Sequence, residues 1–226
     1  MDTSLWMATD LLTATADMPI SRAARLMAQR RVRHLLVVAD DDDARLVGLV
    51  SSHDLFLAAD AGVHPMSPRA VDRDGATVGE VMTPQPFSIP PNTSIAAAAR
   101  ILHDRKFGCL PVVDRGRLVG ILTEQDLLRA FVCMSGADQP GYEVTCVVAE
   151  DGDVLGDMSS LAAQRGLRLT SASVFDHGDR RYAVVHFVGQ RSDAFVEALW
   201  RCGHQILRVE PAAPAGPARP VGATTR

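Results

Sequence analysis

Apolar and polar positions over the first 133 residues follow one plan, and the plan is written twice. Ile20, Ala23, Ala24 and Met27 form an apolar stripe at helical spacing, and Ile95, Ala98, Ala99 and Leu102 repeat it 75 places later. Short extended segments at 11–13 and 87–89 lead into these helices through turns at Asp17-Met18-Pro19 and Pro90-Pro91-Asn92. Two short strands follow each helix, at 35–38 and 46–50 in the first copy and at 110–113 and 117–122 in the second. A closing helix is expected at 54–59 and again at 126–131. From Leu46 onward the offset falls from 75 to 72, and the acidic turn at 40–43 absorbs the difference. One such unit is too small to bury its own apolar faces, so the two are expected to pack together.

Each closing helix is introduced by the same run, Gly48-Leu49-Val50-Ser51-Ser52-His53-Asp54 and Gly120-Ile121-Leu122-Thr123-Glu124-Gln125-Asp126. The hydroxyl stands at a helix N-cap and the carboxylate in the first turn. Two readings stand. The pair caps the helix and does nothing more, or the exposed amide end takes a phosphate while the aspartate holds the hydroxyls of a ribose.

Beyond the turn-rich stretch 136–141 the order changes to strand 142–148, helix 154–165, strands 167–175 and 180–188, helix 192–201 and strand 205–209. This β-α-β-β-α-β order is the ferredoxin-like plan. The expected fold class is α+β. Expected boundaries are a first repeat at 1–60, a linker at 61–77, a second repeat at 78–135, a linker at 136–141, a third domain at 142–210 and a disordered Pro/Ala/Gly-rich tail at 211–226. His64 in the first linker reads as a surface residue.

Composition changes the picture little. Apolar residues make up 47% of the chain and charged residues 22%, the balance of an ordinary globular protein. A net charge of −4 gives no general attraction to nucleic acid or to an anionic membrane. No apolar run is long enough to cross a bilayer and no signal peptide begins the chain, so a cytoplasmic protein is expected. Cys109, Cys133, Cys146 and Cys202 lack metal-ligand spacing and read as reduced, mostly buried thiols. No catalytic set or metal motif stands out, so neither catalytic nor metal-binding residues are expected. His53, His103, His177, His186 and His204 read as structural.

The β-α-β-β-α repeat, the Val81-Met82-Thr83-Pro84 entry, the Arg33-His34-Leu35 and Cys109-Leu110-Pro111-Val112-Val113 strands and the paired Gly-to-Asp runs resemble a tandem pair of CBS domains, a Bateman module. That resemblance implies two clefts for adenine nucleotides or related adenosyl compounds (AMP, ADP, ATP, NAD, S-adenosylmethionine or cyclic di-AMP), with no required cofactor. It also implies a homodimer and a regulated protein partner. Carried over by position, one cleft uses Thr13, Arg33, His34, Leu35, Ser51 and Asp54. The other uses Ser88, Ile89, Cys109, Leu110, Pro111, Thr123 and Asp126. Leu36 stands where the family strand has proline. Arg33 and His34 favour phosphate in the first cleft, against Gly108 and Cys109 in the second.

The third domain resembles an ACT domain through Asp151-Gly152-Asp153-Val154-Leu155, although Asp153 occupies the place of a glycine. Dimerisation and amino-acid sensing both stand for it, with Glu150, Asp151 and Asp153 opposing a substrate carboxylate. The whole order is similar to the acetoin-utilisation AcuB type. The expected role is a ligand-sensing regulator, not an enzyme. The alternative is a homodimeric scaffold with vestigial clefts.

Overall fold

The computed structural model describes residues 1–40, 44–59, 76–150, 152–189 and 193–212. The acidic turn at 41–43, positions 60–75 with His64, Asp151, Ser192 and the tail from 213 lie outside them. The chain divides into two compact units, 1–127 and 128–226.

The first unit carries the repeats. A two-residue strand β1 (Thr13–Ala14) is followed by α1 (Ile20–Arg30), β2 (His34–Val38), β3 (Leu46–Ser51) and α2 (Ser52–Ala59). The second copy runs through α3 (Val78–Val81), β4 (Thr83–Pro84), α4 (Ile95–Arg105), β5 (Cys109–Asp114), β6 (Arg117–Thr123) and the start of α5 (Glu124–Ser135). Ala23, Met27, Ala98 and Leu102 of the two helical stripes are buried as their spacing requires, whereas Ala24 is exposed. Both helices end on a residue in the left-handed conformation, Arg31 (φ 53°) and Lys106 (φ 55°). The next amides, of Val32 and Phe107, then donate back to Met27 and Leu102, each at 3.0 Å.

The repeats exchange their lead segments, which their contiguous sequence boundaries did not suggest. Thr3 and Ser4 donate to the carbonyls of Thr93 and Pro91 in the second repeat, at 2.8 and 3.0 Å. Val78 and Gly79 donate to Met18 and Ala16 in the first, at 2.8 and 2.7 Å. Further along, Ala8 bridges Ile121 of β6, and Thr83 of β4 pairs with Leu49 of β3. Every one of these partners is related to its counterpart by the 75- or 72-place offset. The crossing explains the glycines of the repeated runs. A Cβ on Gly48 would stand 2.2 Å from Met82 Sδ, and one on Gly120 would stand 2.4 Å from Met7 Sδ. Each glycine is the seat for a methionine of the other repeat's lead segment.

The second unit holds β7 (Gly141–Val147), α6 (Val154–Gln164), β8 (Arg168–His177), β9 (Arg180–Val188), α7 (Asp193–Arg201) and β10 (Gln205–Ala212). The four strands form one antiparallel sheet in the order β10-β7-β9-β8, the ferredoxin-like arrangement. Its core is Val144, Cys146, Val185 and Phe187 against Met158, Phe195 and Leu199. Phe187 and Phe195 meet edge to face at 4.7 Å. Asp153 caps α6 by accepting the Gly156 amide at 3.0 Å, which accounts for an aspartate at that turn. Buried His204 takes the Ala149 amide on Nδ1 at 3.3 Å, and its Nε2 lies 3.0 Å from Asp157. The accepting Nδ1 places the ring proton on Nε2. Buried His186 pairs with the Thr170 hydroxyl at 2.7 Å. The four cysteines are unpaired; Cys109 and Cys146 are buried, but Cys133 and Cys202 are exposed, contrary to the mostly buried set expected.

Candidate functional site

α2 and α5 begin with the same reciprocal cap. Ser51 donates its amide and hydroxyl to Asp54 Oδ2 at 2.8 and 2.7 Å, and Ser51 Oγ accepts the Asp54 amide at 3.2 Å. Thr123 and Asp126 repeat this at 2.8, 2.7 and 3.3 Å. It is a capping box closed by aspartate at the third helical position. The preceding strand residues take another amide each: Ser52 donates to the Arg33 carbonyl at 2.9 Å, and Glu124 to that of Gly108 at 3.4 Å. The helix starts are therefore poorer in free amides than the sequence implied. Of the first turns, only the amides of His53 and Gln125 stand outside these bonds, so any phosphate must be met chiefly by side chains.

Both aspartates face hollows. The one beside Asp126, of about 220 Å³, is completed by Thr123, Gln125 and, from the first repeat, Leu12, Arg31, Arg33 and His34. The one beside Asp54, of about 330 Å³, is completed by Ser51 and, from the second repeat, Phe87, Lys106, Phe107, Gly108 and Cys109. The grouping expected from sequence is thus corrected. Each hollow takes its aspartate from one repeat and its strand start from the other, except that His34 also stays beside Ser51 and Asp54, as the sequence grouping had it. Ser51 and Asp54 stand with Cys109, and Thr123 and Asp126 stand with Arg33 and His34.

The crossed lead segments are the physical reason. After Ala8 pairs with β6, the chain returns through Asp10, Leu11 and Leu12 to β1, and so walls the hollow beside Asp126. After Thr83 pairs with β3, it returns through Pro86 and Phe87 to Ile89, which bridges Val112, and walls the other. Thr13, Leu35, Ser88, Ile89, Leu110 and Pro111 line neither hollow; Leu35, Ile89 and Leu110 sit in the two repeat cores. The sequence reading missed Leu11, Leu12, Arg31, Pro86, Phe87, Lys106 and Phe107. Their 75-place pairing (Leu12 with Phe87, Arg31 with Lys106, Val32 with Phe107) was the available signal.

His34 is the one described residue that lines both hollows. It reaches over Gly108, where a Cβ would stand 2.9 Å from Nε2. Burial, and then the neighbouring Arg33, lower its pKa below the usual 6.5, with Glu124 and Asp54 opposing. Burial raises the Cys109 thiol to about 12, so it is no nucleophile at neutral pH. Among the described residues no group of three or more His, Cys, Asp or Glu is placed to hold a metal. No helix among them is long and apolar enough to cross a membrane.

Two interlocked β-α-β-β-α repeats with a capped aspartate beside each of two shared hollows define the class. The chain belongs to the CBS domain family, whose model matches residues 3–60 and 78–133. It is similar to CBSX1, a chloroplastic CBS domain-containing protein of Arabidopsis thaliana, at 34% identity over 54% of this chain and 59% of that one. It is also 34% identical to inosine-5'-monophosphate dehydrogenase of Thermoplasma acidophilum, over 53% of this chain but 21% of the enzyme. The chain therefore spans a fifth of one relative and about three-fifths of the other. A solved structure from Vibrio cholerae, described as an acetoin utilization protein (AcuB), is similar at 26% identity and a TM-score of 0.51, covering 58% of this chain and 92% of that one.

Proposed function

We propose that this protein is a regulator that binds an adenosyl ligand in the hollows of its CBS pair and passes occupancy to its C-terminal, ACT-like unit or to a protein partner. The observation that carries the reading is the duplicated cap: two aspartates, each fixed through Oδ2, each beside a hollow walled by apolar side chains and at least one cation. A ribose offers paired hydroxyls to such a carboxylate, an adenine fits the apolar wall, and Arg31, Arg33 or Lys106 meets phosphate. The route onward is covalent, since α5 begins at the Asp126 cap and continues past Leu127 to Ser135. The ligand shifts the arrangement only by preferring one state over another.

The test is a thermal-shift panel of AMP, ADP, ATP, NAD, S-adenosylmethionine and cyclic di-AMP at millimolar concentration, repeated with Asp126→Ala. A compound present at about a hundred times its Kd stabilises the native chain by roughly 2.7 kcal/mol. Asp126→Ala should lower its affinity about ten- to a hundredfold, beyond the roughly 1 kcal/mol lost with the cap. Unchanged affinity with lowered stability would leave the carboxylate as a cap alone. Silence across the panel would favour the scaffold reading, which the exposed Phe56, Leu57, Leu128 and Phe131 support as a homodimer surface.

A further inference from the structure

We infer that the two hollows take different chemical classes of ligand: a nucleoside di- or triphosphate beside Asp126, and an adenosyl group with one phosphate or none beside Asp54. The inference rests on the adenosyl reading above and narrows it.

The repeats supply equivalent positions to both sites, so the differences between them are confined to a few substitutions. At the site of Asp126 the wall is aliphatic, with Leu12 and Val32, and two guanidiniums, Arg31 and Arg33, stand at its edge. Asp10, also in that wall, is held by Arg30 at 2.8 Å, so it does not cancel them. At the site of Asp54 the equivalent residues are Phe87, Phe107, Lys106 and Gly108. Two aromatic rings replace two aliphatic side chains, the Lys106 ammonium replaces the Arg31 guanidinium, and Gly108 replaces Arg33, so that the guanidinium near this hollow, Arg105, lies over Phe87 and outside the lining. Phe87 and Phe107 lie 6.3 Å apart with their rings tilted by 39°, and Arg105 covers one face of the Phe87 ring at 4.5 Å.

A polyphosphate carries two or more negative charges that the helix starts cannot satisfy, because the caps and the Arg33 and Gly108 carbonyls already engage most first-turn amides. Planar guanidiniums donate paired N–H bonds to phosphate oxygens, and two of them, Arg31 and Arg33, line the site beside Asp126. Stacking on a base is indifferent to phosphate charge, and the aromatic pair provides it only beside Asp54.

Calorimetric titration of the full chain with ATP, then with S-adenosylmethionine on the ATP-saturated protein, tests the assignment. Both compounds should bind without displacing one another. Arg33→Ala should weaken ATP about tenfold or more and leave S-adenosylmethionine within about twofold. Phe107→Leu, which removes the aromatic ring but keeps an apolar side chain, should do the reverse, and circular dichroism of both variants checks that they fold. Mutual displacement, or either variant weakening both compounds alike, overturns the assignment while leaving an adenosyl-binding protein. Failure of the wild-type chain to bind any compound of the panel removes the adenosyl reading itself.

Discussion

Asp54 and Asp126 each commit Oδ2 to the helix cap, which fixes the carboxylate's rotamer before any ligand arrives. His34 is the residue whose protonation should be felt at both hollows. Its folded pKa lies below the unfolded value of about 6.5 because burial and Arg33 disfavour the imidazolium. The unfolded chain therefore takes up the proton first as pH falls. The stability associated with neutral His34 is complete above the unfolded pKa and is lost as pH drops through the folded one. Urea midpoints measured from about pH 8 to about pH 5 should decline on the acid side, and His34→Gln should flatten that part of the profile. An identical decline in the variant would assign the acid sensitivity to other groups. The hydroxyl-to-aspartate spacing was legible in the sequence because a capping box is a local motif. The role of His34 was not, because Gly108, over which it lies, is 74 residues away.

At the level of elements, the lead segments do the work that a contiguous repeat could not. Met7 and Met82 seat against Gly120 and Gly48 of the opposite repeat. Gly120→Val would set branched carbons where Met7 Sδ now lies and should cost about 1–3 kcal/mol by overpacking. It should also loosen the wall formed by Asp10, Leu11 and Leu12, so ligand affinity beside Asp126 should fall more than affinity beside Asp54. Equal loss at both sites would show that the lead segment is not what shapes the hollow. Helix and strand positions were readable from the 3.6- and 2-residue periods. The α5 helix runs on to Ser135, four residues beyond the expected end at Phe131, and stops where Gly136 takes a positive φ of 75°. The two-residue strand β4 was invisible, since nothing local marks a segment that pairs only with another repeat.

At the scale of the whole molecule, α2 and α5 leave large apolar side chains in water: Phe56 is 62% exposed, Leu128 65% and Phe131 68%. Phe56 and Leu128 are equivalent positions of the two repeats. On the homodimer reading proposed above, exposed apolar positions repeated in this way would suit contact with a second copy of the chain, as in a twofold interface. Sedimentation equilibrium should give twice the 24.3 kDa chain mass. Phe131→Glu should shift it to a monomer with the fold intact, because that side chain is already exposed. A wild-type monomer would count against the homodimer and against the scaffold alternative together.

The sequence by itself determined the repeat, its helices and strands, the two capped aspartates and the order of the C-terminal unit, because all of these are set by periodicity, spacing and local hydrogen bonding. Which residues share a hollow was decided only by tertiary structure. A hollow here is made where two repeats interlock, and the partners it joins are tens of residues apart: Asp126 with Arg33, and Asp54 with Phe107. No local pattern records that crossing, except that each repeated glycine has no side chain where the other repeat's methionine must lie.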